Sequence, residues 1–234
     1  MTSLMQGWRL IVDGRCPSES NMPRDLALFE EVARGSLSGC LRIYNWQTPA
    51  LTIGCHQKGF ISHDPGLEIP VYKRPTGGGA VLHIDDITYS LITPLKGRFA
   101  SGITETYAVI AGVFAQALKT SGLDVRMGLS APGFSEVCFA RTAPVELRLD
   151  GVKLMGAAQL RRGGILLQQG VIPRRVDSDL LARTFGPGVR VSGILDILPE
   201  FRVREFIANL KTGFQERIGL FFEEEFFAPG IDSW

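Results

Sequence analysis

The sequence predicts a single α/β (α+β) domain whose β-sheets are mostly antiparallel or mixed and are flanked by helices. Short runs rich in β-branched and aromatic residues recur between turn residues, as they do in antiparallel sheets. Three longer stretches repeat apolar residues at helical spacing. No repeat, low-complexity tract or linker divides the chain, so we expect one domain over residues 1–234 with a core of about residues 8–220.

The first half of the chain is predicted to form one helix among several strands. Residues 18–34 are predicted to be helical because Leu26, Phe29 and Val32 share a face, with a cap near Ser18 or Ser20 and Pro23 acceptable only in the first turn. Strands are expected at residues 8–12, 41–46, 51–55, 70–73, 80–83 and 87–93. We expect a short turn to join the 41–46 and 51–55 strands, and residues 87–93 to extend the same sheet.

The second half is predicted to open with the strongest amphipathic helix, over residues 103–118, ending at Gly122. Strands at residues 124–127, 145–150, 153–159 and 165–172 follow, and two further helices at residues 177–185 and 203–218. Asp150-Gly151 predicts a tight hairpin that places Lys153 opposite Arg148. The phenylalanine-rich tail from Phe221 either covers the core or meets a partner.

Composition excludes several classes of protein. A formal net charge of +1 provides no overall field for nucleic acid, so only local pairs such as Arg161-Arg162 or Arg174-Arg175 could attract an anion. The sequence has no secretory signal and no membrane-spanning apolar run, so we expect a cytoplasmic protein. Its four cysteines are irregularly spaced, which favours free thiols and no metal site.

Three consecutive glycines, Gly77, Gly78 and Gly79, stand between two β-leaning runs in the stretch KRPTGGGAVLH. Glycine is used where the backbone must bend sharply or approach a ligand closely. With Arg74 as a fixed charge beside it, this stretch is expected to form a ligand wall. A glycine-rich hairpin without a ligand is the alternative that three glycines alone leave open.

The second glycine-punctuated stretch runs from Asp150 to Gly170. Lys153 is followed there by Gly156, Ala157 and Ala158, whose small side chains leave room for a substrate beside a cationic group. Cys138 lies upstream, and a nearby ammonium group favours the reactive thiolate of a cysteine. Spacing alone does not establish that Cys138 and Lys153 meet.

Together these stretches resemble the catalytic domain of the biotin/lipoate protein ligases, on the lipoate side. KRPTGGGAVLH with ITYSLI, and VKLMGAAQLRRGGILLQQG, are similar to the two signatures of that family, and NMPRDLALFEEV and WQTPALTIGCHQ fit it as well. The resemblance covers roughly residues 8–173 and implies the fold of that catalytic domain. Little more than sixty residues follow Gly170, so we expect no C-terminal accessory domain.

The run from Cys138 through Phe139, Pro144 and Glu146 to Lys153 resembles the cysteine-dependent octanoyltransferases of this family. That resemblance implies that Cys138 accepts the acyl group as a thioester and that Lys153 lowers its pKa. It implies octanoyl-acyl carrier protein as donor, a lipoyl domain or glycine cleavage H protein as acceptor, and no required cofactor. Substrate binding is assigned to residues of both glycine stretches: Arg74, Thr76, Gly77, Gly78, Gly79, Ala80, His83, Gly156, Ala157, Ala158 and Gln159.

Two other functions remain open at this point. An ATP-dependent lipoate ligase with a separate accessory chain would use ATP and Mg, with Lys153 on the acyl-adenylate and Cys138 a bystander. A non-catalytic acyl-binding subunit would keep the fold without turnover. The sequence also departs from the family pattern at Gln169, Val145 and Pro23, which affects substrate contacts more than the class of reaction. Octanoyl and lipoyl are both possible cargoes.

Overall fold

The computed structural model describes residues 7–128 and 145–228 of the chain. In chain order the elements are β1 (Trp8–Cys16), α1 (Ser18–Ala33), β2 (Cys40–Trp46), β3 (Ala50–Ile53), β4 (Val71–Lys73), β5 (Val81–His83), β6 (Asp85–Pro94), a 3-10 turn (Gly97–Phe99), α2 (Ile103–Thr120), β7 (Arg126–Gly128), β8 (Glu146–Leu149), β9 (Val152–Arg162), β10 (Ile165–Arg175), α3 (Ser178–Phe185), α4 (Ile194–Ile197), α5 (Val203–Ile218) and β11 (Phe222–Phe227). The mixed α/β fold confirms the predicted class. None of the helices in these two ranges is both long and apolar enough to cross a bilayer.

Most of the strands form one mixed sheet of eight, in the order β11-β1-β2-β6-β10-β9-β8-β7. Pairing is parallel where β1 meets β2 and β11, and antiparallel elsewhere. The phenylalanine-rich tail therefore contributes an edge strand of the sheet. Nothing in the local sequence around Phe221 predicts this pairing, because the partner strand lies at the other end of the chain.

A second sheet has three strands, in the order β4-β3-β5. One expectation about this region is wrong, because β3 does not share a sheet with β2 or with residues 87–93. The alternative of a glycine-rich hairpin does not form either, since the strands on either side of the glycines do not pair with each other. β3 lies between them, parallel to β4 and antiparallel to β5. The glycine segment must therefore cross over β3, which makes it a loop between two non-adjacent strands.

The hairpin between β8 and β9 has the predicted geometry. Asp150 and Gly151 both have positive φ, at 49° and 79°, as a two-residue turn of the type that matches strand twist requires. Arg148 faces Lys153 in the register, as the sequence predicts. The turn thus sets the position of Lys153 at the start of β9.

Helices cover the two faces of the large sheet. α2 and α5 pack on one face, where Phe114, Phe206 and Phe214 are fully buried. α1 packs on the other face through Leu28, Phe29 and Val32. The predicted capping of α1 is wrong: Pro17 is the N-cap residue, neither serine caps the helix, and Pro23 lies beyond the first turn. The hydroxyl of Ser18 instead donates to the carbonyl of Thr48.

Candidate active site

A cavity of about 360 Å³, including its open mouth, lies between the large sheet and the three-stranded sheet. Its lining is mostly apolar, with a few polar side chains. The lining residues are Met22, Tyr44, Trp46, Thr52, Arg74, Val81, His83, Thr88, Gly156, Ala157, Ala158, Gln169, Gly170 and Val171.

One cross-strand row of the large sheet forms the floor of this cavity. Tyr44 faces Thr88, Thr88 faces Val171, and Val171 faces Gly156 in the register of four neighbouring strands. Side chains alternate between the faces of a sheet, so this row and the rows two residues away face the three-stranded sheet. Glycine and alanine on β9 leave the floor low there, so the cavity forms a slot beside these small residues.

The glycine loop, which comprises residues 74–80 between β4 and β5, encloses the guanidinium group of Arg74. Its Nη2 donates to the carbonyl oxygens of Gly77 and Gly79, each at 2.7 Å, and its Nη1 donates to the carbonyl of Thr52 at 3.1 Å. Arg74 is only 6% exposed. Arg74 lines the cavity, as the sequence predicts. Its guanidinium N–H groups, however, bond to the backbone of the loop and hold it in place, whereas the sequence predicts that this charge faces a ligand.

Close packing requires glycine at two positions of this region. Gly78 has a φ of +97°, and a Cβ there would lie 2.8 Å from Arg74 Nη2. A Cβ on Gly54 would lie 2.3 Å from the carbonyl oxygen of Gly78, so the loop rests directly on the backbone after β3. The loop is consequently a rigid wall of the cavity.

His83 lies at the cavity wall with both ring nitrogens engaged. Nδ1 is 2.8 Å from Asp86 Oδ2, Nε2 is 3.0 Å from Thr52 Oγ1, and the ring stacks on Trp46 with centroids 4.2 Å apart. Asp86 is buried and also accepts from the hydroxyl of Thr88 at 2.5 Å. Asp85 and Asp86 both belong to β6.

A buried carboxylate, which the sequence reasoning did not single out, lies beside the cavity. Asp25 of α1 is fully buried and accepts hydrogen bonds from Arg42 Nη1, Ser90 Oγ, Tyr44 Oη and Gln169 Nε2, at 2.7, 2.7, 3.0 and 2.7 Å. Burial, with Asp25 beside it, raises the pKa of Tyr44 well above its usual value, so the phenol stays a donor. The feature of the sequence that could have indicated a buried carboxylate is Arg42, a charged residue inside the apolar run of β2.

Gln169 joins this buried carboxylate to the glycine loop. Its Oε1 accepts from the hydroxyl of Thr76 at 2.8 Å, while its Nε2 donates to Asp25. The loop, the sheet floor and α1 are therefore connected through one side chain. Gln169 thus acts as a structural link at the edge of the cavity.

Lys153 lies near the start of β9 in a buried ion pair. Its Nζ is 3.2 Å from Glu146 Oε1, and the other carboxylate oxygen accepts from Arg148 at 2.9 Å. Lys153 and Glu146 are 7% and 1% exposed. Lys153 is not among the residues that line the cavity. Cys138 lies outside the described residues.

Two of the predicted binding residues, Ala80 and Gln159, do not line the cavity. Ala80 packs in a small apolar cluster with Leu51 and Ile53 and does not line the cavity. Gln159 also lies away from it and donates to Gln168 Oε1 at 2.7 Å. The predicted residues that the structure brings together at the cavity are Arg74, His83, Gly156, Ala157 and Ala158.

The other cysteines are poor candidates for covalent chemistry. Burial raises the pKa of the Cys16 and Cys40 thiols, which keeps them protonated near neutral pH. Cys55 is half-buried and does not line the cavity. In residues 7–128 and 145–228, no three His, Cys, Asp or Glu side chains are grouped as a metal site would require.

The fold of the chain is similar to that of solved lipoate-protein ligases. A lipoate-protein ligase A bound with ATP aligns with a TM-score of 0.71 and 24% identity, over 98% of this chain and 92% of that one. A putative lipoate protein ligase from Thermoplasma acidophilum with bound lipoic acid aligns with a TM-score of 0.72 and 24% identity over the same shares. At this identity the likeness concerns the fold alone.

The chain belongs to the lipoyl protein ligase A/B catalytic domain family, whose model matches residues 17–215. Among its relatives, the octanoyltransferase LipM of Carboxydothermus hydrogenoformans is 35% identical over 76% of this chain and 69% of the relative. The octanoyltransferase LipM of an Exiguobacterium species is 33% identical over 92% of this chain and 88% of the relative. The family predicted from the glycine stretches is confirmed.

Proposed function

We propose that this protein is an octanoyltransferase of lipoate biosynthesis, which transfers an octanoyl group from a thioester donor to a lysine of an acceptor protein. The observation that carries the proposal is the apolar slot bordered by the glycine loop, in a chain whose relatives at 33–35% identity are octanoyltransferases. The donor is octanoyl-acyl carrier protein. The acceptor is a lipoyl domain or glycine cleavage H protein, and one fold neighbour was solved as a bi-partite ligase with its E2 lipoyl domain.

In the first half-reaction the Cys138 thiolate attacks the thioester carbonyl of the donor. A bond forms between Cys138 Sγ and the acyl carbon, the bond to the donor sulfur breaks, and the donor leaves as a thiol after taking a proton. Lys153 favours the thiolate and stabilises the oxyanion through its positive charge. Its ion pair with Glu146 supports this role, because the carboxylate 3.2 Å from Lys153 Nζ fixes the position of the side chain.

In the second half-reaction the neutral ε-amine of the acceptor lysine attacks the acyl-enzyme. The C–N bond forms, the bond to Cys138 Sγ breaks, and the nitrogen loses a proton. Over the full cycle one proton passes from the amine nitrogen to the donor sulfur. Conversion of a thioester to an amide is downhill, so the reaction proceeds without ATP or a metal ion.

Binding of the acyl chain is supplied by the slot. Burying an octanoyl chain at about 0.8 kcal/mol per methylene contributes on the order of 5 kcal/mol. The contact between Val81 and Val171 limits the height of the slot where the three-stranded sheet meets the floor. Chain length is therefore selected by the depth of the cavity, and neighbouring lengths are partly accepted.

The deciding experiment is intact-mass spectrometry after mixing the protein with octanoyl-acyl carrier protein, without ATP. We expect an octanoyl adduct that is lost in Cys138→Ser and is transferred to a lipoyl domain on addition. Labelling of the lipoyl domain only when ATP and Mg are supplied would instead establish a ligase. No labelling under either condition would indicate a non-catalytic acyl-binding subunit.

A further inference from the structure

Two guanidinium groups pair with a single carboxylate at the end of the large sheet where β10 finishes, and a third arginine lies close by. Arg174 and Arg175 close β10, and Asp85, which opens β6, faces Arg175 in the register. Arg15, near the end of β1, is exposed and faces Asn45 in the register, and Asn45 Nδ2 donates to Asp85. Arg174-Arg175 is one of the two basic pairs that stand out in the sequence.

The other basic pair is occupied by internal contacts. Arg161 donates to the carbonyls of Ser101 and Gly102 and to the hydroxyl of Thr106. Arg162 pairs with Glu30 at 2.8 Å. These contacts account for both side chains within the structure of the domain, so this pair needs no external anion.

The cluster at the end of β10 is not neutralised in the same way. Arg174 Nη1 donates to Asp85 Oδ1 at 2.8 Å, but its buried Nε has no hydrogen-bond partner among the described residues. Arg175 Nε is 3.8 Å from Asp85 Oδ2, and its side chain is 68% exposed. Asp85 also accepts from Asn45 at 3.0 Å. Asp85 therefore pairs with Arg174 and Arg175, and Arg15 adds a third positive charge nearby.

This crowding has an electrostatic cost. Burial lowers the pKa of Arg174, and the positive charges of Arg15 and Arg175 lower it further against the attraction of Asp85. Arg174 is only 7% exposed, so solvent screens these repulsions poorly. A bound anion would relieve the repulsion and use the donors that remain.

The cluster lies at the end of the sheet that carries the proposed chemistry. Val171, on the cavity floor, precedes Arg174 by about 10 Å of strand. β9 runs antiparallel to β10, so its start, with Lys153, is at this same end. Asp86, the neighbour of Asp85, holds His83 at the cavity wall. The cluster and Lys153 therefore lie at the same end of the large sheet.

We propose that Arg15, Arg174 and Arg175 bind the phosphate of a phosphopantetheine arm that carries the acyl group as a thioester. Guanidinium groups match phosphate oxygens in paired, charge-assisted hydrogen bonds. Asp85 orients Arg174 and Arg175 without neutralising the cluster. The proposal rests on the proposed function, because it names the part of the thioester donor that this surface recognises.

The test compares two donors that differ only in this phosphate, octanoyl-pantetheine and octanoyl-phosphopantetheine. We expect the wild-type protein to form the acyl-enzyme roughly tenfold or more faster, as kcat/KM, from the phosphorylated donor. In Arg15→Gln/Arg175→Gln the rate with the phosphorylated donor should fall to that with the unphosphorylated one. Arg162→Gln, which removes another exposed arginine, is the matched control and should keep the preference.

Several outcomes would overturn the proposal. Equal rates from both donors in the wild-type protein, or a preference that persists in the double variant, exclude a phosphate site at the cluster. If the double variant slows only octanoyl-acyl carrier protein and not octanoyl-phosphopantetheine, the cluster recognises acidic side chains of the carrier instead. If neither donor forms an acyl-enzyme, the proposed function fails. In that case, calorimetric titration with acyl-free phosphopantetheine tests the phosphate site separately. The proposal requires that the wild-type protein binds this compound and that the double variant does not.

Discussion

The side chains of Thr76 and Gln169 are joined by a hydrogen bond of 2.8 Å although they are 93 positions apart in the chain. Gln169 passes the connection on to Asp25, which is bonded to Arg42. The glycine loop is thus fastened to the sheet floor and to α1 at the edge of the cavity. The shape of the site depends on this buried polar chain as well as on the small residues of β9.

Replacing Gln169 by Leu should loosen the glycine loop. The change removes the bonds to Thr76 and Asp25, and leaving buried polar groups unsatisfied costs about 1–3 kcal/mol each. We expect slower acyl-enzyme formation with a raised KM, measured by steady-state kinetics. Gln168→Leu is the control, because Gln168 is buried on the opposite face, where it donates to Tyr89. Equal effects of both variants on KM would refute the role given to Gln169.

Lys153→Ala should raise the pH at which Cys138 is alkylated. An ammonium group close to a thiol lowers its pKa by about 1–3 units, and Ala removes that charge. The measurement is the rate of iodoacetamide labelling of Cys138 against pH, followed by mass spectrometry. Lys153→Arg keeps the charge and should retain most of the shift. An unchanged labelling profile in Lys153→Ala would remove the assigned role.

Glu146→Gln tests the positioning of that lysine. The carboxylate lies 3.2 Å from Lys153 Nζ and 2.9 Å from Arg148 Nη2, so the amide retains a polar side chain but loses the ion pair. We expect acyl-enzyme formation to slow by roughly tenfold, since orientation of a charged group supports catalysis. Arg148→Gln is the matched change on the partly exposed side of the same carboxylate and should have a smaller effect. A larger loss of rate in Arg148→Gln than in Glu146→Gln would contradict the proposed role of Glu146 in positioning Lys153.

The slot can be made shallower or deeper at its floor. Ala158→Val adds two methyl groups to the wall beside the glycine loop, and Val171→Ala removes two from the floor. The first should favour shorter acyl chains and the second longer ones, by about tenfold per methylene. Competition among hexanoyl, octanoyl and decanoyl donors, read as acyl-enzyme masses, measures the shift. Unchanged chain-length preference in both variants would mean that the acyl chain binds elsewhere.

Asp25→Ala should strongly destabilise the protein. Its loss leaves the buried guanidinium of Arg42 with Asp13 as its remaining ion-pair partner, and breaking a buried pair costs about 3–5 kcal/mol. Glu30→Ala breaks the exposed pair with Arg162 and should cost less than about 1 kcal/mol. Urea unfolding of the two variants gives the comparison. Similar costs would show that Asp25 is solvated in solution.

Alkaline pH should reduce stability through the buried thiols. The pKa of Cys40 is raised by burial, so above about pH 9 the unfolded chain releases the thiol proton while the native chain keeps it. Stability from this thiol is present below pH 9 and then falls by up to about 1.4 kcal/mol per pH unit. Cys40→Ala should make the decline between pH 9 and 10 shallower in urea unfolding. A decline of unchanged steepness would contradict the burial of this thiol.

Much of the fold and part of the site could be predicted from local sequence. Asp150-Gly151 set both the hairpin and the pairing of Arg148 with Lys153, because a two-residue turn determines the register of its strands. Gly156, Ala157 and Ala158 were expected beside the substrate for their small size, and they line the cavity. The position of Cys138 relative to Lys153 stays a prediction, since Cys138 lies outside the described residues.

The sequence by itself determined the family, the helices, the β8–β9 hairpin and the glycine segments, since these depend on turn chemistry, periodicity and short motifs. Only the tertiary structure placed β3 between β4 and β5, turned Arg74 into the loop, and brought Asp25 beneath Gln169. Each of these depends on contacts between distant segments. A buried charge is tolerated only where such contacts complete its hydrogen bonds, and no local pattern records which distant residue does so.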